Sequence, residues 1–240
     1  MNWKKDLREK DDAVSPVIAL MLILAILATC MAVYTTTYVP GLKQQDEITH
    51  SGEVKLAFER FASDIDNVIA LGKPAVYTEV LELGGGDVPL SPTKSSGTVE
   101  INTTVIGNYT IGSETKNLNV IEISYLPSFT AWEKQGYLYK NGVVWITKDE
   151  KKTPAMLTLY TVEDGKNREK EVLKKWYHAS SVIIPNFTVV ENKAEITGTS
   201  TVKLRLNATL DEQITSVTLT DGTSIIYTNA RLLNIEVSVE

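Results

Sequence analysis

At 240 residues, with 43% hydrophobic and 22% charged side chains, the chain has a globular make-up and leaves room for one ordinary domain after Gly72. Its formal net charge of −6 argues against a dedicated nucleic-acid binder, which needs a basic face to release counterions from phosphates. Cys30 is the single cysteine, so neither an intramolecular disulfide nor a cysteine-based metal site can form.

The first segment, MNWKKDLREKDD, is dense in charge, and the next, Ala13 to Leu42, has none. Its core, Val17 to Val39, is long enough as a helix rising about 1.5 Å per residue to cross a hydrocarbon layer of about 30 Å. Lys4, Lys5, Arg8 and Lys10 precede the apolar run, whereas Lys43 and Lys55 are the basic residues in the comparable window after it. Because the positive-inside rule counts Lys and Arg, the N-terminus is expected in the cytoplasm and the C-terminal part outside, as a single-pass membrane protein. Three familiar fates compete for such a segment. Cys30-Met31-Ala32 is a loose secretory cleavage site, but the apolar character runs on through Tyr38. Leu27-Ala28-Thr29-Cys30 is a lipoprotein-like site with Thr where a smaller residue is expected, and an uncleaved anchor is the third reading.

The left edge of the run adds a fourth. Asp12-Ala13-Val14-Ser15-Pro16 resembles the processing site of archaeal type IV prepilins, which carry class III signal sequences. The stretch VSPVIALMLILAILA, Val14 to Ala28, is similar to the mature start of such pilins, with Ala19 in the place of the Gly in their VSPVIG-like opening. The resemblance covers about residues 5 to 40 and implies cleavage between Ala13 and Val14 by a prepilin peptidase on the cytoplasmic side. It also implies an assembly ATPase, a polytopic membrane platform and other pilin subunits as partners. Cleavage there leaves the helix intact, so the subunit waits in the lipid bilayer with its backbone satisfied internally. Once extracted, Val17, Ile18, Leu20, Leu22, Ile23, Leu24, Ile26 and Leu27 have to be buried among like helices, which is how a filament core forms. Pro16 would then lie in the first turn, where a missing donor costs little.

Thr35-Thr36-Thr37 and Tyr34/Tyr38 make the outer end less apolar, and Pro40-Gly41 is expected to break or kink the helix. From about Asp46, the residues Val54, Phe58, Phe61, Ile65 and Val68/Ile69 recur at helical spacing among charged neighbours, and Gly72 and Pro74 end the run. This amphipathic helix is expected to pack on the sheet of its own head domain.

After Gly72 the signals are for strands: Val76–Leu83, Thr98–Ile106, Asn119–Tyr125, Tyr137–Tyr139, Val143–Thr147, Met156–Val162, Ser181–Ile184, Ala194–Ile196, Thr201–Leu206, Ile214–Thr220, Ser224–Thr228 and Leu232–Val239. Asn141-Gly142 predicts a two-residue hairpin turn, and Asp164-Gly165, Asp221-Gly222 and Gly84-Gly85-Gly86 mark further turns. Glu163 to Lys175 reads as a solvated loop or short exposed helix. Asn102, Asn108, Asn186 and Asn207 each head an Asn-X-Thr sequon, a possible N-glycan acceptor on an exported head.

Catalytic constellations are missing from the pattern. The histidines are His50 and His178, with no His-x-x-x-His zinc motif and no Gly-x-Ser-x-Gly elbow. The triple glycine lacks the Lys-Ser/Thr of a phosphate-binding loop, Asp64 and Asp66 diverge on a helix, and Asp211-Glu212 reads as an exposed acidic turn. Neither enzyme activity, cofactor nor metal is expected. The chain is expected to be an α+β protein: a leader at 1–13, a hydrophobic helix at 14–39, a kink and amphipathic helix at 40–72, and an all-β, sandwich-like antiparallel head at 73–240. The functional expectation is a pilin-like structural subunit, a minor or adhesive one given the large head. The alternative is a non-polymerising, membrane-anchored binding or accessory protein of stator or pseudopilin type.

Overall fold

The computed structural model describes residues 6–85, 88–91, 93–155, 168–177, 183–190, 195–220, 222 and 224–240, with backbone alone at 6–15, 168–171 and 212. The expected strand at Met156–Val162, the Asp164-Gly165 turn and His178 lie outside them.

One helical rod opens the chain. Helix α1 (Asp6–Val33) passes into a π-helical turn at Tyr34–Tyr38 and then into α2 (Val39–Leu71). Of the break or kink expected at Pro40-Gly41, the break does not occur: both residues are helical, and a π-helical turn lies just upstream. Proline explains the displacement. It has no N–H for the carbonyl four residues back and its ring crowds that carbonyl, so the preceding turn widens. The Val39 N–H reaches back five residues to the Tyr34 carbonyl. Thr35 Oγ1 donates to the Met31 carbonyl at 2.9 Å and Thr36 Oγ1 to that of Ala32 at 2.7 Å, feeding acceptors at the widened turn. The rod ends at Gly72, whose left-handed φ of 57° lets its N–H close on the Val68 carbonyl.

Among the described residues, the head is a ten-stranded sheet with a helix inserted into it. Its strands are β1 (Ala75–Glu82), β2 (Ser96–Ile111), β3 (Glu114–Ser128), β4 (Gly136–Lys140), β5 (Val143–Lys148), β6 (Lys151–Pro154), β7 (Ile183–Val189), β8 (Glu195–Gly198), β9 (Thr201–Leu219) and β10 (Ser224–Val239). They run β6-β5-β4-β3-β2-β9-β10-β7, with β1 added to β9 and β8 to β2. Pairing is antiparallel except between β7 and β10, which are parallel. The Thr201–Leu206 and Ile214–Thr220 signals belong to one strand, β9, and the last two to another, β10. Irregular register between Ile226 and Ala230 and between Arg231 and Leu233 lets the long hairpin bend without ending.

Two leaves result. The far ends of β2 and β9 pair through Gly107–Thr110 and Ser216–Leu219, but nearer the stem they part: β2 takes β8 and β9 takes β1. Helix α2 fills the gap, touching β1, β7 and β9 on one side and β4 and β5 on the other. Val54, Phe58, Phe61, Ile65 and Val68 are buried there as the helical spacing requires, with Phe58 against Tyr137 and Phe61 edge-on to Tyr139. The head is thus sandwich-like with a helix in the core, an α+β arrangement.

Asn141-Gly142 forms the expected turn, with φ of 48° and 78°. A Cβ at Gly142 would also meet Val172 Cγ1 at 2.5 Å, because α3 (Arg168–Trp176) lies over the turn. Within the segment expected to be a solvated loop or short exposed helix, the described part is the helix α3, and it buries Val172, with the adjoining Trp176, in the core.

Candidate functional site at the stem and its junction with the head

The same rod has two unlike halves. From Pro16 to Val33 no side chain is buried, and the large apolar residues are between 49% and 65% exposed. Such values mean that only the residue's own helix covers it. Val17, Ile18, Leu20, Leu22, Ile23, Leu24, Ile26 and Leu27, expected to form the membrane and assembly helix, all stand on this bare section, and together they point in every direction around the axis. Fully burying one such side chain stabilises by about 1.5–3 kcal/mol, so a large driving force remains unsatisfied in the single chain. Among the described residues this is the helix long and apolar enough to cross a membrane, its window lying in Pro16–Leu71. Ala13 and Val14 lie in α1 immediately before Pro16, itself inside α1.

The second half is held by polar contacts before it is held by apolar ones. Lys43, Glu47, His50 and Ser51 follow one face of α2 and are all buried. Lys43 Nζ donates to both the carbonyl and the hydroxyl oxygen of Thr93 at 2.7 Å. Glu47, with 0% exposure, accepts hydrogen bonds from the Ser95 hydroxyl, the Thr130 N–H at 2.9 Å and the Ala131 N–H at 2.8 Å. Burial alone would raise the Glu47 carboxyl, but Ser95 and the backbone N–H groups of Thr130, Ala131 and Trp132 together hold it below the ordinary value. Ser51 Oγ and the Tyr137 hydroxyl share a hydrogen bond at 2.9 Å. Two loops that precede β2 and β4 are thereby fastened to one helix face.

His50 sits in the same row and is 3% exposed, packed edge-on against Tyr125 and Phe129. Its Nε2 lies 3.0 Å from the Tyr125 hydroxyl, which donates to the Leu83 carbonyl at 3.0 Å. Burial lowers the imidazole pKa against the opposing pull of the Glu82, Glu53 and Asp46 carboxylates. The sequence reading assigned no metal, yet a ring nitrogen of His50 and a carboxylate oxygen from each of Glu53 and Glu82 lie within 4.8 Å of one another. His50 and Glu53 are visible in sequence as an i, i+3 pair on α2, but Glu82 reaches them only because β1 returns along the helix.

The sequons separate. Asn102 and Asn108 are exposed on β2 and Asn207 is partly covered on β9. Asn186 is buried, contrary to its expected role as a glycan acceptor: its Oδ1 accepts from the Asn119 N–H at 2.9 Å and its Nδ2 donates to Asn234 Oδ1 at 3.1 Å. The first bond joins β7 to the part of β3 that β4 does not reach, closing a seam, and the second ties the same amide to β10, so the Asn186 side chain is engaged on both sides. Asp211 also departs from expectation. It lies within β9 at the irregular register rather than in a turn, and accepts from Asn234 Nδ2 at 2.7 Å.

No known family model, curated protein or solved structure matches the chain.

Proposed function

We propose that the protein is a pilin-like structural subunit, membrane-held through α1 and assembled into a surface filament by the same helix. The observation that carries the reading is the division of one continuous rod into a section bare on every side and a section locked into a head. A bare apolar helix needs lipid or other helices around it. A rigidly held head transmits the position of each helix to the outside of whatever the helices build.

The edge at Asp12-Ala13-Val14-Ser15-Pro16 supports maturation by a prepilin-type peptidase between Ala13 and Val14. The peptidase, an assembly ATPase, a membrane platform and further pilin subunits are the partners this reading requires. The basic residues before the stem favour a cytoplasmic N-terminus and an outward head, on which Asn102, Asn108 and Asn207 are candidate glycan acceptors. Shearing surface filaments from cells that express the chain, then imaging and immunolabelling them, tests assembly. Expected is labelled filament. Its absence from every filament, with the protein retained in membranes, would favour the non-polymerising anchored accessory protein.

A further inference from the structure

We propose that His50, Glu53 and Glu82 form a binding site for one divalent first-row transition ion, of which Zn2+ is the probe of choice, and that the ion fastens the stem helix to the end of β1. This goes beyond the subunit reading and does not depend on it.

The argument begins with one phenolic proton. Tyr125 donates its hydroxyl hydrogen to the Leu83 carbonyl, so the same oxygen accepts from His50, and the imidazole proton is on Nε2. Nδ1 is left with a lone pair. That atom is buried and has no hydrogen-bond partner among the described residues, in a residue only 3% exposed. An unpartnered buried acceptor is costly, and carboxylate oxygens of Glu53 and Glu82 lie within 4.8 Å of a nitrogen of this ring. A cation resolves both problems together.

The donor set also selects the ion. A neutral imidazole nitrogen with two carboxylate oxygens suits zinc and its first-row neighbours, whereas calcium and magnesium prefer oxygen alone. Glu53 and Glu82 are exposed and line a groove of about 330 Å³ with His50, so an ion can enter from solvent and water can complete its shell. The three ligand atoms already lie within 4.8 Å of one another, and the two exposed glutamate side chains are the parts that would rotate to close on an ion. Tyr125 supplies the outer hydrogen bond that fixes ring tautomer and orientation, as metal-bound histidines commonly require. Asp46 adds a further carboxylate to the local field. The ligands come from α2 (His50, Glu53) and the far end of β1 (Glu82), so binding staples the helix to the strand that follows it.

The test uses full-length chain without a histidine tag, held in detergent and stripped with a chelator, then titrated with Zn2+ alone. Expected are one bound ion per chain and a higher unfolding temperature, since binding to the folded state alone stabilises it. Glu53→Gln and Glu82→Gln, both at exposed positions, should each weaken Zn2+ binding by about tenfold or more while leaving the metal-free unfolding temperature near wild type. Tyr125→Phe should weaken binding by a smaller factor. Absence of Zn2+ binding, or equal binding by wild type and the Glu53→Gln/Glu82→Gln double variant, would overturn the site. Ca2+ binding as tight as Zn2+ would overturn the choice of ion class. None of these readouts depends on processing or filament formation, so their failure leaves the subunit proposal untouched.

Discussion

Glu47 is a charge placed where an apolar residue would ordinarily sit, and it is tolerated because five donors converge on it: the hydroxyls of Ser95 and Thr130 and the N–H groups of Thr130, Ala131 and Trp132. Glu47→Gln puts an amide N–H₂ among N–H donors and should cost about 1–3 kcal/mol of stability at neutral pH, measured by denaturant unfolding of the detergent-solubilised chain. The pH dependence follows from the sign of the shift. The folded-state pKa lies below the unfolded value, so the stabilisation is complete above the ordinary carboxylate range and is lost as pH falls through the folded value. The gap between wild type and Glu47→Gln should therefore close on acidification. Asp66 behaves oppositely. Burial raises its carboxyl to about 6 despite Lys175, so its contribution is favourable at low pH and is lost as pH rises through that value. Asp66→Asn should be more stable than wild type at pH 8, the advantage shrinking as pH falls through about 6 and gone below about pH 4. An Asp66→Asn variant no more stable than wild type at pH 8 would count against burial as the cause.

Among the elements, α2 was legible in part. The spacing of Val54, Phe58, Phe61, Ile65 and Val68 announces a helix with one apolar face, and that face is the one buried. The polar row before it was not legible, because Lys43, Glu47, His50 and Ser51 look like ordinary solvated residues until partners from remote loops meet them. Strand identity was readable from β-branched content, but strand length was not: no turn residues distinguish a true end from the bulges that carry β9 and β10 onward. Asn186 shows the same limit, since a sequon cannot reveal that its amide closes a seam. The Pro40-Gly41 dipeptide misled because proline distorts the turn before it rather than its own position. Phe61→Ala, which empties the space beside Tyr139, should lower stability by about 3–5 kcal/mol and loosen the whole head, read as faster amide exchange in both leaves.

For the whole molecule, the fold consists of a rod whose C-terminal half is clasped by a sheet and whose N-terminal half is left for other surroundings. That the helix packs on its own head followed from its apolar face, whereas the closing of two leaves around it did not; the bare section was plain, since length and lack of charge from Ala13 to Leu42 need no tertiary information. What distinguishes a filament subunit from a simple anchor is the fate of its left edge, and Ala13 carries that test at the residue level. Replacing it with Phe should block maturation and hold the full-length chain in the membrane. The most direct measurement is the intact mass of the wild-type protein recovered from membranes and filaments. Expected is a chain that begins at Val14 and keeps the whole apolar helix; a mass for a chain beginning at Met1 would contradict maturation and reduce α1 to an anchor, and one beginning near Val33 would make the head a secreted domain.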